Sequence, residues 1–293
     1  PAENVAGGGR DPSFAIPQYF LPVNGLRTAV CDSGGEKEAL VFVHGLAGNL
    51  THWVHVASHF TDRFRVVGID LPGCGESQRI ERRYSVHMYA EHVAATLDAM
   101  GIERANLVGH SLGGMVLTQM ALLRPERAHH IVLVNPAGFL HIPTPVRLLG
   151  NLVLRKRLLN AVLPRAWKLL LDNVFARENH HTREFVNVQE QTYDPKTDIF
   201  DVSRVISDLR HDFLNINFMH VLDELQVPVS VIWGSEDKLV PAGALQRATA
   251  QLHNAMLREL PGVGHMPLIE VPHEVVSFLE DVLEHRATSS RAA

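Results

Sequence analysis

The stretch ANLVGHSLGG, residues 105–114, joins two different local patterns. Its first half is a short apolar run without polar alternation, which is typical of a strand buried on both faces of a sheet. The residues after Ser111, LGGMVLTQMALLRP (112–125), have the apolar spacing of a helix that a proline ends. Gly109 and Gly113 leave room for a tight turn between the two. A strand that passes directly into a helix through such a turn indicates an α/β sheet.

Further short apolar runs lie on both sides of this stretch. They are rich in Val, Ile and Leu, and they read ALVFV (39–43), RVVGI (65–69), IVLVN (131–135), VPVSVIWG (227–234) and AMLREL (255–260). Helical patterns lie among them, at residues 85–101, 112–125, 243–252 and 273–285. Strands that alternate with helices predict an α/β fold with a doubly wound, mostly parallel sheet. The Asn24-Gly25 pair between two apolar runs adds one hairpin near the start of the chain.

The alternation stops between about residue 139 and residue 225, where helical patterns follow one another without a buried strand. This predicts a helical cap over residues 139–225, inserted between two parts of one core, residues 16–138 and 226–287. The glycine-rich, polar residues 1–15 are expected to form a loose arm. Residues 288–293 are expected to form a disordered tail.

The composition is that of a globular protein with a sizeable core. Hydrophobic residues make up 46% of the 293 residues, and the formal net charge of −5 disfavours nucleic acid as a partner. Cys31 and Cys74 are the two cysteines, which is too few for a disulfide framework. Neither a signal peptide nor a run of about 20 uncharged apolar residues is visible. We therefore expect a cytoplasmic protein, although a leader removed before Pro1 stays open.

A serine at such a turn is a candidate nucleophile, and its hydroxyl needs a base. The chain has 18 histidines, so chain order selects among them. In this arrangement an acid and then a histidine follow the serine. His265 lies after the last apolar run, and Asp237 follows the penultimate run, with Glu236 as its competitor. The other position at which an acid can occur, after the preceding run, holds Asn135.

Two backbone N–H groups are expected to stabilise the oxyanion that forms when Ser111 attacks a carbonyl. One is the N–H of Leu112, directly after the serine, and the other is the N–H of Leu46, in the loop after ALVFV. Gly109, His110 and Gly113 complete the turn around the nucleophile.

These motifs resemble the α/β-hydrolase superfamily, and specifically its capped, esterase- and lipase-like branch. The matching segments are VFVHGLAGN (41–49), GIDLPGCGES (68–77), LVGHSLGGM (107–115), VIWGSEDKLVP (231–241) and PGVGHMPLIEVP (261–272). The resemblance implies a serine esterase with Ser111, Asp237 and His265 as its catalytic triad. It also implies that His44 and Asp70 belong to the scaffold and that no cofactor is needed.

Several related activities stay open beside carboxylic ester hydrolysis. Lactonases, thioesterases and amidases use the same acyl-enzyme. Hydrolases that cleave a carbon–carbon bond in ring-cleavage dienones share the serine turn and the cap, but their oxyanion loop typically reads H-G-x-G-P-G, which HGLAGN does not match. Relatives with an aspartate nucleophile are disfavoured by Ser111. A non-catalytic ligand-binding relative is disfavoured because all three triad positions are intact.

Two further patterns in the sequence bear on metal and lipid partners. His52, His55 and His59 have helical spacing, but no H-E-x-x-H occurs, so we expect solvated histidines and no metal site. The cap contains an apolar run bordered by Arg and Lys, which is expected to pack on the sheet, to shield an apolar acyl substrate and to make at most weak contact with a lipid surface. Its members are Leu148, Leu149, Leu152, Val153, Leu158, Leu159, Val162, Leu163 and Trp167.

Overall fold

The computed structural model describes residues 3–4, 16–192, 198–221, 224–249 and 255–292. In these residues the strands form one sheet of nine, in the order β1-β2-β3-β5-β4-β6-β7-β8-β9. Their bounds are β1 (Glu3–Asn4), β2 (Gln18–Val23), β3 (Leu26–Asp32), β4 (Ala39–Val43), β5 (Arg65–Ile69), β6 (Ala105–His110), β7 (Ala128–Val134), β8 (Val229–Gly234) and β9 (Leu257–Leu260).

The sheet is antiparallel at one edge and parallel over the rest. β1, β2, β3 and β5 pair antiparallel, whereas β5, β4, β6, β7, β8 and β9 pair parallel. The hairpin between β2 and β3 turns at Asn24 and Gly25, with φ of 50° and 78°, which is the left-handed conformation that an Asn-Gly turn supplies. The predicted α/β fold with a mostly parallel sheet is confirmed.

Helices cover both faces of the sheet. They are α1 (Val54–Ala57), α2 (Val86–Ala99), α3 (Leu112–Leu123), α4 (Thr144–Val153), α5 (Lys156–Val174), α6 (His180–Thr192), α7 (Asp198–Asn215), α8 (Ala242–Thr249), α9 (Pro267–Glu270) and α10 (Pro272–Ala292). Short 3-10 turns precede and follow α1, at Leu50–Trp53 and Ser58–Phe60. The helix α2 begins where the Ser85 side chain accepts a hydrogen bond from the Met88 N–H.

The central strand β4 shows why the apolar runs lack alternation. Val41 and Val43 belong to a core cluster with α2 and α3, while Leu40 and Phe42 belong to a second cluster with α1 and α10. Successive side chains of a strand point to opposite faces, and here both faces are covered by helices. Every residue of β4 is therefore buried.

Four helices, α4 to α7, lie between β7 and β8 in the chain, and we call residues 144–215 the helical insertion. Its helix α5 packs on α7 through two buried leucines, Leu159 and Leu163, which contact Val202 and Ile206. Among the described residues of α4, none is buried. The insertion thus has a small core of its own.

The chain termini differ from the expectation in one respect. The helix α10 continues to Ala292, whereas a disordered tail was expected from residue 288. No glycine or proline follows Pro272 to end the helix. The predicted arm lies outside the described residues except Glu3–Asn4, which pair with β2.

No helix in the described part of the chain is long and apolar enough to cross a membrane.

Candidate active site

The turn between β6 and α3 holds Ser111 in a strained backbone conformation. Its φ is 49° and its ψ is −112°, a region that residues other than glycine rarely adopt. The glycines on either side permit the turn. A Cβ at Gly109 would lie 2.6 Å from the carbonyl carbon of Gly113, and a Cβ at Gly113 would lie 2.3 Å from the Val43 oxygen. The turn presents the Ser111 side chain at the carboxyl edge of the parallel strands.

Three side chains from three loops at this edge form a hydrogen-bonded chain. His265 Nε2 lies 3.0 Å from Ser111 Oγ, and His265 Nδ1 lies 2.7 Å from Asp237 Oδ2. An ionised carboxylate only accepts hydrogen bonds, so Nδ1 carries the proton and Nε2 is left to accept the Ser111 hydroxyl proton. His265 and Asp237 are both buried, whereas Ser111 is partly exposed. The structure thus brings together the three residues that were predicted from chain order.

Asp237 is held by hydrogen bonds on both carboxylate oxygens. Oδ1 accepts from the N–H groups of Leu239 and Val240, at 2.8 and 2.9 Å, and Oδ2 accepts from His265 and from Asn135 Nδ2, at 2.7 Å each. Burial alone would raise the pKa of Asp237, but these donors together hold that pKa below its ordinary value. Asp237 is therefore ionised at neutral pH.

The amide of Asn135 was not predicted as part of the site. It follows β7 with a φ of 43°, at the position where an alternative acid can occur. Instead of replacing Asp237, its side chain donates to Asp237 and to the Gly264 carbonyl, at 2.7 and 3.3 Å. By contrast, the side chain of Glu236, the predicted competitor, is exposed.

His110 contacts the backbone of His265. Its Nε2 lies 2.8 Å from the His265 carbonyl oxygen, so Nε2 carries a proton and donates it to that oxygen. Burial holds the pKa of His110 well below its ordinary value. This neutral histidine fixes the backbone of the His265 loop to the turn around Ser111.

The loop after β4 approaches the same turn closely. A Cβ at Gly45 would lie 2.7 Å from His110 Nδ1 and 3.2 Å from Ser111 Cβ. The loop then turns at Ala47, whose φ is 56°, and closes with a hydrogen bond from the Gly48 N–H to the Gly45 carbonyl. Leu46 lies inside this turn. Leu112 is the first residue of α3, and its N–H has no partner within the helix.

His44 and Asp70 make backbone contacts that shape the loops around the site. His44 Nδ1 donates to the Gly45 carbonyl at 2.7 Å, and its Nε2 accepts from the Leu71 N–H at 3.0 Å. Burial lowers the pKa of His44 to about 4. Asp70 accepts from the N–H groups of Leu50 and Glu76, at 2.6 and 2.9 Å. Both side chains are occupied with backbone groups and lie outside the hydrogen-bonded chain of Ser111, His265 and Asp237.

A buried carboxyl group connects the His265 loop to the helical insertion. Glu270 Oε2 accepts from the N–H groups of Gly264 and Ala176, both at 3.1 Å, and its Oε1 accepts from the Arg177 N–H at 3.0 Å. The His265 N–H itself donates to the carbonyl of Val174, the last residue of α5, at 2.8 Å. The insertion therefore contacts the backbone of the histidine directly, which the sequence did not predict.

The three histidines after the β4 loop do not behave alike. His52 is buried and its ring packs edge-on against Phe185, and burial lowers its pKa to about 3. His55 is half-buried and His59 is exposed. The expectation of three solvated histidines is therefore wrong for His52, because the insertion covers it. Within the described residues, one group of three side chains has metal-ligand geometry: His55, His181 and Glu184, with ligand atoms within 4.8 Å of one another.

Comparison with known proteins gives a consistent family. A family model described as the alpha/beta hydrolase fold matches residues 38–272. A 2-hydroxy-6-oxononadienedioate/2-hydroxy-6-oxononatrienedioate hydrolase of Paraburkholderia phymatum is 31% identical, over 88% of this chain and 91% of its own. The dihydrolipoyllysine-residue acetyltransferase component of an acetoin cleaving system from Pseudomonas putida is 30% identical, over 94% of this chain and 71% of its own. The solved structure of a thermophilic esterase is 26% identical with a TM-score of 0.72, and the match covers 92% of this chain and 98% of the esterase.

Proposed function

This chain belongs to the α/β-hydrolase-fold family and is a hydrolase, and from that premise we propose that it cleaves carboxylic esters through an acyl-enzyme. The observation that carries the proposal is the unbroken path from Ser111 Oγ through His265 to Asp237, at 3.0 and 2.7 Å. A serine paired with a neutral imidazole, which is itself paired with a carboxylate, is the arrangement that activates a hydroxyl for attack on a carbonyl.

In the proposed reaction, His265 Nε2 takes the Ser111 proton while Oγ attacks the ester carbonyl carbon. The resulting imidazolium is stabilised by the ionised Asp237. The tetrahedral intermediate then collapses, and His265 returns its proton to the departing alcohol. Water, deprotonated by His265, attacks the acyl-enzyme in the second half of the cycle and releases the acid.

We assign the two oxyanion donors to the N–H groups of Leu46 and Leu112. The close approach of Gly45 to the Ser111 side chain and the position of Leu112 at the start of α3 support this assignment. Donors of this kind typically contribute about 2.7–4 kcal/mol each to transition-state stabilisation. Because both are backbone groups, their alignment depends on the turns at Ala47 and Ser111, which have positive φ angles.

We also propose that residues 139–225 act as a cap over the site for a small ester or another apolar acyl substrate. Two contacts support this role: the hydrogen bond from the His265 N–H to Val174 and the Glu270 contacts to Ala176 and Arg177. A segment that contacts the catalytic histidine is well positioned to change access to the serine.

A second candidate is hydrolysis of a carbon–carbon bond in a ring-cleavage dienone. The 31% identity to the hydrolase of Paraburkholderia phymatum, over nearly the full length of both chains, favours it. The loop HGLAGN (44–49) has Ala47, Gly48 and Asn49 where the motif H-G-x-G-P-G has glycine, proline and glycine. Ester hydrolysis is preferred for that reason.

The test is hydrolysis of p-nitrophenyl esters of graded acyl length by the wild type and by Ser111→Ala. We expect serine-dependent turnover, with a loss of several orders of magnitude in kcat for the variant. The acyl length that gives the highest kcat/KM would measure the space under the insertion. An active Ser111→Ala variant would remove the triad from the mechanism. Turnover of a dienone and none of any ester would replace the ester proposal by the second candidate.

A further inference from the structure

The outer side of α4 and α5 is an apolar surface exposed to solvent. Of the twelve large hydrophobic side chains that are exposed in the described part of the chain, nine lie between residues 146 and 170. Leu148 and Leu169 are 66% and 65% exposed. We call this surface the α4–α5 face, and its members are Val146, Leu148, Leu149, Leu152, Val153, Leu158, Val162, Leu169 and Leu170.

Packing of the insertion on itself does not account for these side chains. The inner side of α5 is used for that purpose, since Leu159 and Leu163 are buried against α7. The inner side of α4 is used as well, because Gly150 lies against Leu214 of α7. Leu158, Val162 and Leu169 are spaced at i, i+4 and i+11, which places them together on the outer side of α5. The helix α5 is therefore apolar on two sides, of which one is covered, and the large apolar side chains of α4 are exposed.

The charge of these two helices is mostly positive. Residues 140–171 contain six Arg or Lys and no Asp or Glu, and Asp172 is the one acidic residue of α4 and α5, although the whole chain has a formal net charge of −5. Arg157 and Arg165 are exposed on α5, and Arg165 follows Val162 by one turn along the exposed stripe. Exposed leucines bordered mostly by arginine and lysine are the pattern of helices that lie in the plane of a lipid surface.

We propose that the α4–α5 face docks on a negatively charged lipid bilayer. The leucines and valines would enter the boundary between head groups and acyl chains, and the basic residues would lie among anionic head groups. A second copy of this chain fits less well, because a two-fold interface would set two positively charged faces against each other. The inference goes beyond ester hydrolysis, since binding does not require Ser111.

The helix that carries much of this face also contacts the catalytic histidine. The helix α5, which carries the face, ends at Val174, and the Val174 carbonyl accepts the hydrogen bond from the His265 N–H. One helix, α5, therefore carries part of the proposed lipid-binding surface and ends at the residue that contacts the catalytic histidine.

The experiment is co-sedimentation of the Ser111→Ala chain with vesicles, which prevents lipid hydrolysis during the assay. Neutral phosphatidylcholine vesicles are compared with vesicles containing about 30% phosphatidylglycerol, at low salt and at high salt. We expect binding to anionic vesicles to be at least about tenfold stronger than to neutral ones and to weaken with salt, because head-group charge adds to the apolar contribution.

Two variants separate the contributions, and each has a matched control. Leu149→Ser/Leu152→Ser removes apolar contacts, with Leu123→Ser/Leu257→Ser as the control at exposed leucines elsewhere. Arg157→Glu/Arg165→Glu reverses charge, with Arg82→Glu as the control at an exposed arginine outside the face. Each face variant should lose at least about tenfold in vesicle binding, since both apolar burial and basic charge contribute to docking. The controls should bind as their parent does.

Several outcomes would overturn the proposal. Equal binding of face variants and controls would exclude the face as the docking surface, and equal binding to neutral and anionic vesicles would exclude the charge argument. A dimer that dissociates in Leu149→Ser/Leu152→Ser, with no vesicle binding, would assign the face to a second copy. The far-ultraviolet circular dichroism of each face variant should match that of its control, so that a loss of binding reports on docking and not on folding. A chain that binds vesicles but hydrolyses no ester would refute the proposed function and leave the docking proposal intact.

Discussion

The core and the helical insertion contain apolar helices that are used in different ways. In the core, α3 packs on the sheet and on α2, and nine of its twelve residues are buried. In the insertion, α4 has no buried residue in the described structure, and α5 buries one side only. The core therefore uses its apolar residues to fix the geometry of a reactive serine, and the insertion leaves much of its apolar surface in solvent.

The polar groups of the two regions differ in the same way. In the core, the carboxylate of Asp237, the ring of His265 and the amide of Asn135 donate to or accept from each other at fixed distances. In the insertion, the arginines of α5 are exposed. Rigid, satisfied hydrogen bonds are what catalysis requires, whereas exposed charge and apolar area are what association requires. The contacts of Glu270 and Val174 are two of the places where the two regions meet.

The largest expected effect tests the core. Replacing Asp237 by asparagine should lower kcat/KM by about ten-thousandfold, because the amide no longer holds His265 in the tautomer that accepts the serine proton. The measurement is steady-state hydrolysis of a p-nitrophenyl ester. Glu236→Gln, at the exposed neighbour, is the control and should remain close to wild type. A severe Glu236→Gln together with a mild Asp237→Asn would transfer the acid role to Glu236.

A smaller effect is expected where core and insertion meet. The two carboxylate oxygens of Glu270 accept hydrogen bonds from three backbone N–H groups, whereas a glutamine at this position offers only one acceptor oxygen. We expect kcat to fall roughly tenfold to a hundredfold through displacement of His265, with KM for a short ester little changed. Steady-state kinetics of Glu270→Gln beside Glu274→Gln, an exposed position, would check this. An unchanged kcat would mean that the insertion does not position the histidine.

The same residue predicts a pH dependence of stability. Burial is the largest influence on Glu270 and raises its pKa above the ordinary value, although the N–H groups of Ala176, Gly264 and Arg177 act in the opposite direction. A carboxyl group whose pKa is raised on folding stabilises the folded state below its ordinary pKa, and this contribution is lost as pH rises through the raised value. Between the ordinary pKa and the raised pKa of Glu270, the free energy of unfolding should therefore decline more with rising pH in the wild type than in Glu270→Gln. Urea unfolding at a series of pH values measures it, and parallel curves would contradict it.

The smallest effect compares the two sides of α5. Leu159→Ala should lower the stability of the insertion by about 2–3 kcal/mol, because Leu159 is buried against α7. Leu158→Ala, one residue away on the exposed side, should change stability by less than about 0.5 kcal/mol. Hydrogen exchange of α5 and α7 amides measures the stability of this region separately from the core. Equal losses in both variants would show that the α4–α5 face is covered.

Much of the core was predicted from local pattern. The runs that became β4, β5 and β6 were located from apolar residues alone, since a strand between two helical layers is buried on both faces. The turn at Ser111 was located from Gly109 and Gly113. A Cβ at either position would lie less than 3 Å from backbone atoms, so the turn requires glycine there. The last helical pattern was predicted over residues 273–285, whereas α10 extends to Ala292, because no glycine or proline after Pro272 ends the helix.

The sequence by itself determined the order of strands and helices, the serine turn, and the selection of Asp237 and His265 through their positions after β8 and β9. Only the tertiary structure decided that Asn135 supports Asp237, that Glu270 joins the insertion to the His265 loop, and that His52 is buried while Leu148 is not. The physical reason is distance along the chain. Strand, helix and turn patterns depend on neighbours a few residues away, whereas Asn135 and Asp237 are separated by 102 residues, and burial depends on which surfaces meet after folding.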